Sequence, residues 1–319
     1  MVISMMPTLR QLEYIVAVAD TGQFVEAARQ CSVSQPALSK QVQAVEEILG
    51  VELFERSRPK IIVTRAGEEI VKRARRLLAE AHELVEAAGA WAGVRSGVVR
   101  LGVIPTIAPY GLPGLLVKLR RLFPDVAFAI HELQTEVLVE ELRAGAIDIG
   151  LLARPFDDHG LSGPDLIVEP FVLVAPTDHP LSVSGAVELK EIAGANLILM
   201  EDGHCLRDQA IEVCAVAGTS ATSVTAASVS TLVRMVESGL GATLLPAGAL
   251  SSEVRPELGL VARSFGESPP GRTLTLQWRA TSPSVPWFLE IGEILREHYL
   301  ELNAGIPEVS GPRVRIRVV

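Results

Sequence analysis

Apolar positions return with helical spacing along the first ninety residues. Leu12, Ile15, Val16 and Ala19 recur at i, i+3, i+4 and i+7, the buried stripe of a first helix. A second helix follows Gly22, with Phe24, Ala27 and Ala28 turned inward. After a break at Cys31-Ser32-Val33, Ser34 is a good N-cap and Pro36 falls in the first turn, where its missing N–H costs nothing. This third helix buries Leu38, Val42 and Val45 and ends near Gly50. Two helices joined by so short a turn make a helix-turn-helix. Short strands over Leu53 to Arg56 and Lys60 to Val63 then flank Ser57-Arg58-Pro59 as a wing.

Thr64 caps a long helix whose Ile70, Ala74, Leu77, Ala81, Leu84 and Ala88 alternate in steps of four and three. That is the seam of a helix that pairs with a copy of itself; a helix lying on its own domain is the alternative. Gly93 to Gly97 reads as a hinge. From Val98 the pattern changes to apolar strands alternating with helices: strands Val98–Ile104, Ala127–Glu132 and Ile147–Leu152, with a helix from about Gly111 to Phe123 and another ending at Ala144. A second run of this kind begins with strands Phe171–Ala175 and Leu197–Met200, and the chain closes with a strand Leu274–Trp278 and a helix Trp287–Leu302.

The pattern predicts a winged helix-turn-helix over 6–64, a linker and dimerisation helix over 65–93, and two α/β lobes with a mostly parallel sheet and a cleft between them. The first lobe takes 98–168 and 272–303, the second 169–271. Residues 304–319 form a loose tail in which Arg313, Arg315 and Arg317 alternate with valine and isoleucine.

Composition narrows the function. Hydrophobic residues make up 48% and charged residues 21% of 319, a core-forming balance that excludes a disordered chain. No apolar run approaches the roughly 18 residues of a membrane span, and Met1 to Met6 lead directly into polar helical sequence rather than a secretory signal. Three cysteines exclude a disulfide scaffold, and 4% aromatics argue against a stacking platform for single-stranded nucleic acid. The net charge of −9 is carried wholly by residues 96–319, while residues 29–76 hold 10 basic and 6 acidic side chains. One end of an acidic chain is therefore suited to phosphate.

On the third helix Gln35, Pro36, Ala37, Ser39, Lys40 and Gln43 are left facing outward. Glutamine is bidentate to adenine, lysine reads guanine or phosphate, and the wing's Arg56, Arg58 and Lys60 suit backbone phosphate or the minor groove. Residues 8–67, from LRQLEYIVAVADTGQFVEAARQCSVSQPALSKQVQAVEEILGVELFERS to VTRAG, resemble the winged helix-turn-helix of LysR-type transcriptional regulators. The resemblance extends over the linker helix and a two-lobed effector body of periplasmic-binding-protein type, to about residue 303. It implies a homo-oligomer, a dimer of dimers, on an inverted-repeat operator in double-stranded DNA, with two recognition helices about one DNA turn apart. RNA polymerase is an implied partner, and the cytoplasm the implied location. It also places Gln35, Pro36, Ser39, Lys40 and Arg56 at DNA.

The second run contains LILMEDGHCLRDQAIEVC, residues 197–214. Its strand ends at Met200, Gly203 permits a sharp turn, and a helix is expected to begin around Cys205. A helix N-terminus, with His204 and Arg207 nearby, favours the reactive thiolate, whereas Asp208 on the same face opposes it. Asp208 is then either paired with an arginine or a proton acceptor and water-holder. Cys214 is nine residues on, about 13.5 Å along one helix, against the roughly 7 Å between Cα atoms that a disulfide tolerates. Joining the two requires unwinding, which would make a chemical switch: oxidation of Cys205 to sulfenic acid, attack by Cys214, and local refolding. Other readings stand beside it. Cys214, between Val213 and Ala215, could be core, as Cys31 is expected to be. A metal site from His204, Cys205, Asp208 and Cys214 lacks a short paired spacing.

GHCLRDQA followed by Cys214 is similar to the sensor segment of the peroxide-responsive OxyR branch of the LysR family. The resemblance implies that Cys205 is peroxidatic, that Cys214 resolves it as a reversible disulfide, and that hydrogen peroxide controls oxidative-stress genes. It also covers IPTIAPYGLP, residues 104–113, and HELQT, residues 131–135. Hydroxyls of Thr106 and Thr135 can donate to a peroxide oxygen and stabilise the leaving hydroxide. His204, Asp208 and Arg279 fall at positions that branch uses around the thiol. No cofactor or metal is implied. Two rivals are a LysR-type regulator answering a small organic effector in the cleft with inert cysteines, and a thiol enzyme, for which the chain lacks a C-x-x-C motif.

Overall fold

The computed structural model describes residues 6–55, 61–91, 97–182, 185–193, 195–218, 221–255, 258–266 and 269–304. They form two compact units, an N-terminal one of helices with a small hairpin and a C-terminal one of mixed helix and sheet.

Helix α1 (Leu9–Thr21) starts in a capping box, where the Thr8 side chain accepts from the Gln11 backbone and the Gln11 side chain accepts in return. Helices α2 (Phe24–Gln30) and α3 (Gln35–Leu49) follow, then the antiparallel pair β1 (Phe54–Glu55) and β2 (Ile62–Val63). Ile15, Val18, Ala27, Leu38, Val42, Val45 and Leu53 are fully buried in one small core. Removing that apolar surface from water holds this unit together. The expected wing residues Arg56, Ser57, Arg58, Pro59 and Lys60, the hinge over 93–96 and the tail from 305 lie outside the described residues.

Helix α4 (Arg65–Trp91) is capped by Thr64, whose hydroxyl accepts from the Gly67 N–H at 2.9 Å. Its expected seam divides. Ile70 and Ala74 pack into the N-terminal core with Leu78, whereas Leu77 and Leu84 are 55% and 74% exposed. A 4,3 repeat drifts only about 20° around the axis per heptad, so Ile70, Leu77 and Leu84 keep nearly one face, and the N-terminal core covers only its start.

The C-terminal unit contains β3 (Gly97–Val103), α5 (Ala108–Leu122), β4 (Val126–Glu132), α6 (Thr135–Ala144), β5 (Ile149–Ala153), β6 (Leu161–Ser162), β7 (Asp165–Pro176), β8 (Leu197–Met200), α7 (Cys205–Ala217), β9 (Ala221–Ala226), α8 (Val229–Glu237), β10 (Thr243–Pro246), α9 (Leu250–Glu253), β11 (Leu260–Ser264), β12 (Gly271–Arg279) and α10 (Val285–Ala304). Its main sheet runs β10-β7-β12-β5-β3-β4, and β8 and β9 form a separate parallel pair. The expectation of a mostly parallel sheet is corrected. Among the described residues of the main sheet only β3 with β4 and β3 with β5 are parallel, while β7 and β12 pair antiparallel with each other and with their other neighbours. Long β7 and β12 run through both lobes, and an apolar run carries no signal of strand direction.

Two cores flank these strands. One gathers Leu101, Ile104, Leu115, Leu119, Leu138, Leu151, Leu276 and Ile291. The other gathers Phe171, Leu173, Leu199, Leu206, Cys214, Val233 and Leu245.

Candidate functional site

On α3 the apolar stripe settles which residues are left for a partner. With Leu38, Val42 and Val45 at 0% exposure, Gln35, Pro36, Lys40 and Gln43 are exposed and Ser39 is half-buried. The first turn carries no acidic side chain and proline occupies it, so the positive end of the helix is uncompensated. Arg10 donates to the Cys31 carbonyl at 2.9 Å and Gln11 to the Gln41 side chain at 2.9 Å, fixing α1 against the turn and against α3. Cys31 packs half-buried on the N-terminal core. Arg56 lies outside the described residues.

The second cluster forms around the start of α7. Strand β8 is wholly buried, and the chain turns at Gly203 with φ +90°, a left-handed conformation that favours glycine. A Cβ on Gly203 would stand 2.9 Å from the Gln134 side-chain oxygen, so this turn packs directly beside the residue preceding Thr135. His204 is the buried N-cap and Cys205 the first helical residue. Half-buried Cys205 packs against the core of the first lobe, whereas Cys214, 3% exposed, belongs to the core of the second. Nine residues make about 2.5 helical turns, so the two sulfurs leave opposite sides of one intact helix. Burial pushes the Cys214 thiol above its ordinary pKa.

Thr106, 1% exposed, follows β3 and meets the cluster through Arg272. Arg272 Nη1 donates to the Thr106 hydroxyl at 2.8 Å, and Nη2 donates to the Thr106 carbonyl at 3.0 Å and the Tyr110 hydroxyl at 2.8 Å. Its Nε donates to Glu169 Oε2 at 2.8 Å. Burial opposes the charge on Arg272, yet Tyr110, Glu169 and Cys205 hold the guanidinium above its ordinary pKa. Burial also drives Tyr110 well above the usual phenol value, with Arg272 partly offsetting it. Thr135 begins α6 with its hydroxyl buried and without a hydrogen-bond partner among the described residues.

Asp208 is exposed, and Arg207 pairs with Asp202 at 2.7 Å instead of with Asp208. Arg279 ends β12, seven residues and roughly 23 Å of extended strand from Arg272, and its guanidinium donates to the Leu142 carbonyl at 3.4 Å. Arg272 is the guanidinium gathered with Thr106. A single charge in front of an apolar strand does not reveal which buried groups it meets, so Arg272, Glu169 and Tyr110 were not legible. Gln209 was. Four residues after Cys205 it shares that face, and it donates to the Arg154 carbonyl at 2.8 Å with its own oxygen buried and unpartnered among the described residues.

Residues 9–68 match the bacterial regulatory helix-turn-helix protein family of lysR type, and residues 92–299 match the LysR substrate binding domain. The chain belongs to the LysR family of regulators. It is 41% identical to a probable hydrogen peroxide-inducible genes activator of Streptomyces viridosporus, over 94% of this chain and 97% of that protein. Its fold is similar to a full-length OxyR cysteine-to-aspartate variant from Pseudomonas aeruginosa, with TM-score 0.78 and 34% identity over 92% of this chain and 95% of that one. An OxyR cysteine-to-serine variant from Corynebacterium glutamicum with hydrogen peroxide bound gives TM-score 0.64 and 36% identity, over 94% and 95%. The LysR-family chain is thus a DNA-binding transcriptional regulator and not an enzyme, built from a helix-turn-helix unit and a two-lobed α/β unit.

Proposed function

We propose that this regulator senses hydrogen peroxide through Cys205 and answers with a reversible Cys205–Cys214 disulfide that changes its hold on oxidative-stress operators. The observation that carries the reading is the placement of both cysteines on α7, one at its first residue against the first lobe and one in the core of the second. The Cys205 thiolate attacks the near peroxide oxygen, the S–O bond forms as O–O breaks, and the far oxygen leaves as hydroxide and takes a proton to become water. Thr106 and the unpartnered Thr135 donate hydrogen bonds to the peroxide, with His204 at the cap. Exposed Asp208 accepts protons at the rim. Arg272 takes the place expected of Arg279.

The Cys214 sulfur then attacks the sulfenic sulfur, forming S–S and releasing water. Because α7 holds the pair apart, bond formation unwinds it, and the lobe's refolding is the signal.

Gln35, Pro36, Ser39, Lys40 and Arg56 bind double-stranded DNA. Exposed Leu77 and Leu84 on α4 pair with a second copy, giving a dimer of dimers on an inverted repeat, and RNA polymerase is the downstream partner. The protein works in the cytoplasm; among the described residues no helix is long and apolar enough to cross a membrane.

The test is the mass of the 205–214 segment after micromolar peroxide, with operator binding measured in parallel. A disulfide in the wild type and an unresponsive Cys205→Ser variant support the reading. A Cys205→Ser variant that still responds to peroxide overturns it.

A further inference from the structure

Strands β7 and β12 pair Glu169 directly with Arg272, and both side chains are fully buried. A buried ion pair is costly to desolvate, and apolar packing of similar volume often serves stability as well. Its interest lies in where the donors go. One Glu169 oxygen accepts from Arg272 Nε at 2.8 Å, and the other accepts from the Gly248 N–H at 3.1 Å. The carboxylate is thereby anchored to backbone, and it orients the planar guanidinium. Arg272 Nη1 then donates to the Thr106 hydroxyl, and Nη2 to the Thr106 carbonyl. A hydroxyl that already accepts from a guanidinium keeps its own O–H free to donate. Without that bond the hydroxyl can rotate and accept instead, the wrong polarity for a leaving hydroxide.

We propose that Glu169 is a positioning residue for the peroxide reaction: through Arg272 it locks the Thr106 hydroxyl in the donor sense toward the oxygen that leaves as hydroxide. The inference rests on the reading of Cys205 as the peroxide-reactive thiol. Glu169 makes no bond to the reacting atoms. Sulfur gives up two electrons and peroxide gains them, S–O forms as O–O breaks, and the departing oxygen takes its proton from water. Thr106 contributes a hydrogen bond and keeps its proton.

The experiment uses the full reduced chain and two reagents: hydrogen peroxide, and iodoacetamide, which requires the thiolate but no donor to a hydroxide. Modification is read by mass on the segment containing Cys205. Glu169→Gln keeps the shape and removes the charge, and its rate constant with peroxide is expected to fall about 10- to 100-fold while alkylation is unchanged. Glu169→Asp restores part of the peroxide rate. Should Glu169→Gln fail to fold, Gly248→Ala decides the matter, because a Cβ there would stand 2.6 Å from Glu169 Oε1 and displace the carboxylate without removing a charge. It too is expected to slow the peroxide reaction alone. Equal losses with both reagents, or a folded variant with the wild-type peroxide rate, overturn the inference. A wild-type Cys205 inert to peroxide would instead overturn the sensing reading beneath it.

Discussion

Cys205 and Cys214 face opposite sides of α7, one against the core of the first lobe and the other inside the core of the second. No rotation of side chains brings them together, because about 13.5 Å of helix rise and half a turn separate them. A disulfide between them must therefore dissolve hydrogen bonds of α7 and withdraw Cys214 from its packing. Amide hydrogen exchange over residues 206–216 is expected to be slow in the reduced protein and fast once the bond has formed. Retained protection in the disulfide form would show that the helix survives and that no unwinding signal exists.

Thr106 and Thr135 are predicted to act on the leaving oxygen. Replacing either by valine preserves shape and deletes the donor, and the peroxide rate constant is expected to drop about 100-fold, as for loss of one oxyanion-hole donor. Thr106→Ser retains the hydroxyl that Arg272 contacts and is expected to stay near wild type. Stopped-flow oxidation kinetics check both, and an undiminished rate in the valine variants contradicts the assignment.

The Cys214 thiol titrates above its ordinary value because burial disfavours the thiolate. With the folded pKa raised, its contribution to stability is complete below the unfolded value of about 8.5 and is lost as pH rises through the folded one. Thermal unfolding of the reduced protein is expected to fall in temperature above about pH 8.5. The slope should shrink in Cys214→Ala, and an identical slope in that variant rules this origin out.

Lys40 and Gln35 are expected to fail in different ways on DNA. Lys40→Ala should weaken all sequences alike and lower the slope of log affinity against log salt by about 0.9 for one lost phosphate contact. Gln35→Ala should cost about 1–3 kcal/mol on the operator and relax discrimination at one base pair. Salt titrations on operator and scrambled duplexes separate the two, and matching behaviour would refute the division of labour.

Leu77 and Leu84 stand 55% and 74% exposed on α4, one heptad apart on nearly the same face. Leu77→Glu with Leu84→Glu should lower the assembly mass in analytical ultracentrifugation while leaving the helical content intact. An unchanged mass would place self-association elsewhere.

Local pattern reached far in this chain. The three N-terminal helices follow from the 3.6-residue recurrence of Leu12, Ile15, Leu38 and Val42, and the start of α7 at Cys205 follows from the glycine turn before it. These features depend on neighbours within a turn or two, so sequence by itself determined them. That the two cysteines share one helix was legible for the same reason. Other features belong to the tertiary structure. Strand direction in β7 and β12, the inward turn of Ile70 and Ala74, and the meeting of Arg272 with Thr106 depend on partners far along the chain. Arg272 meets Thr106, 166 positions away, only because β12 runs antiparallel beside β7 and brings a buried charge to a buried carboxylate. Spacing cannot encode such a meeting, since it is decided by which strands lie side by side and by the need of a desolvated guanidinium to satisfy every donor it carries.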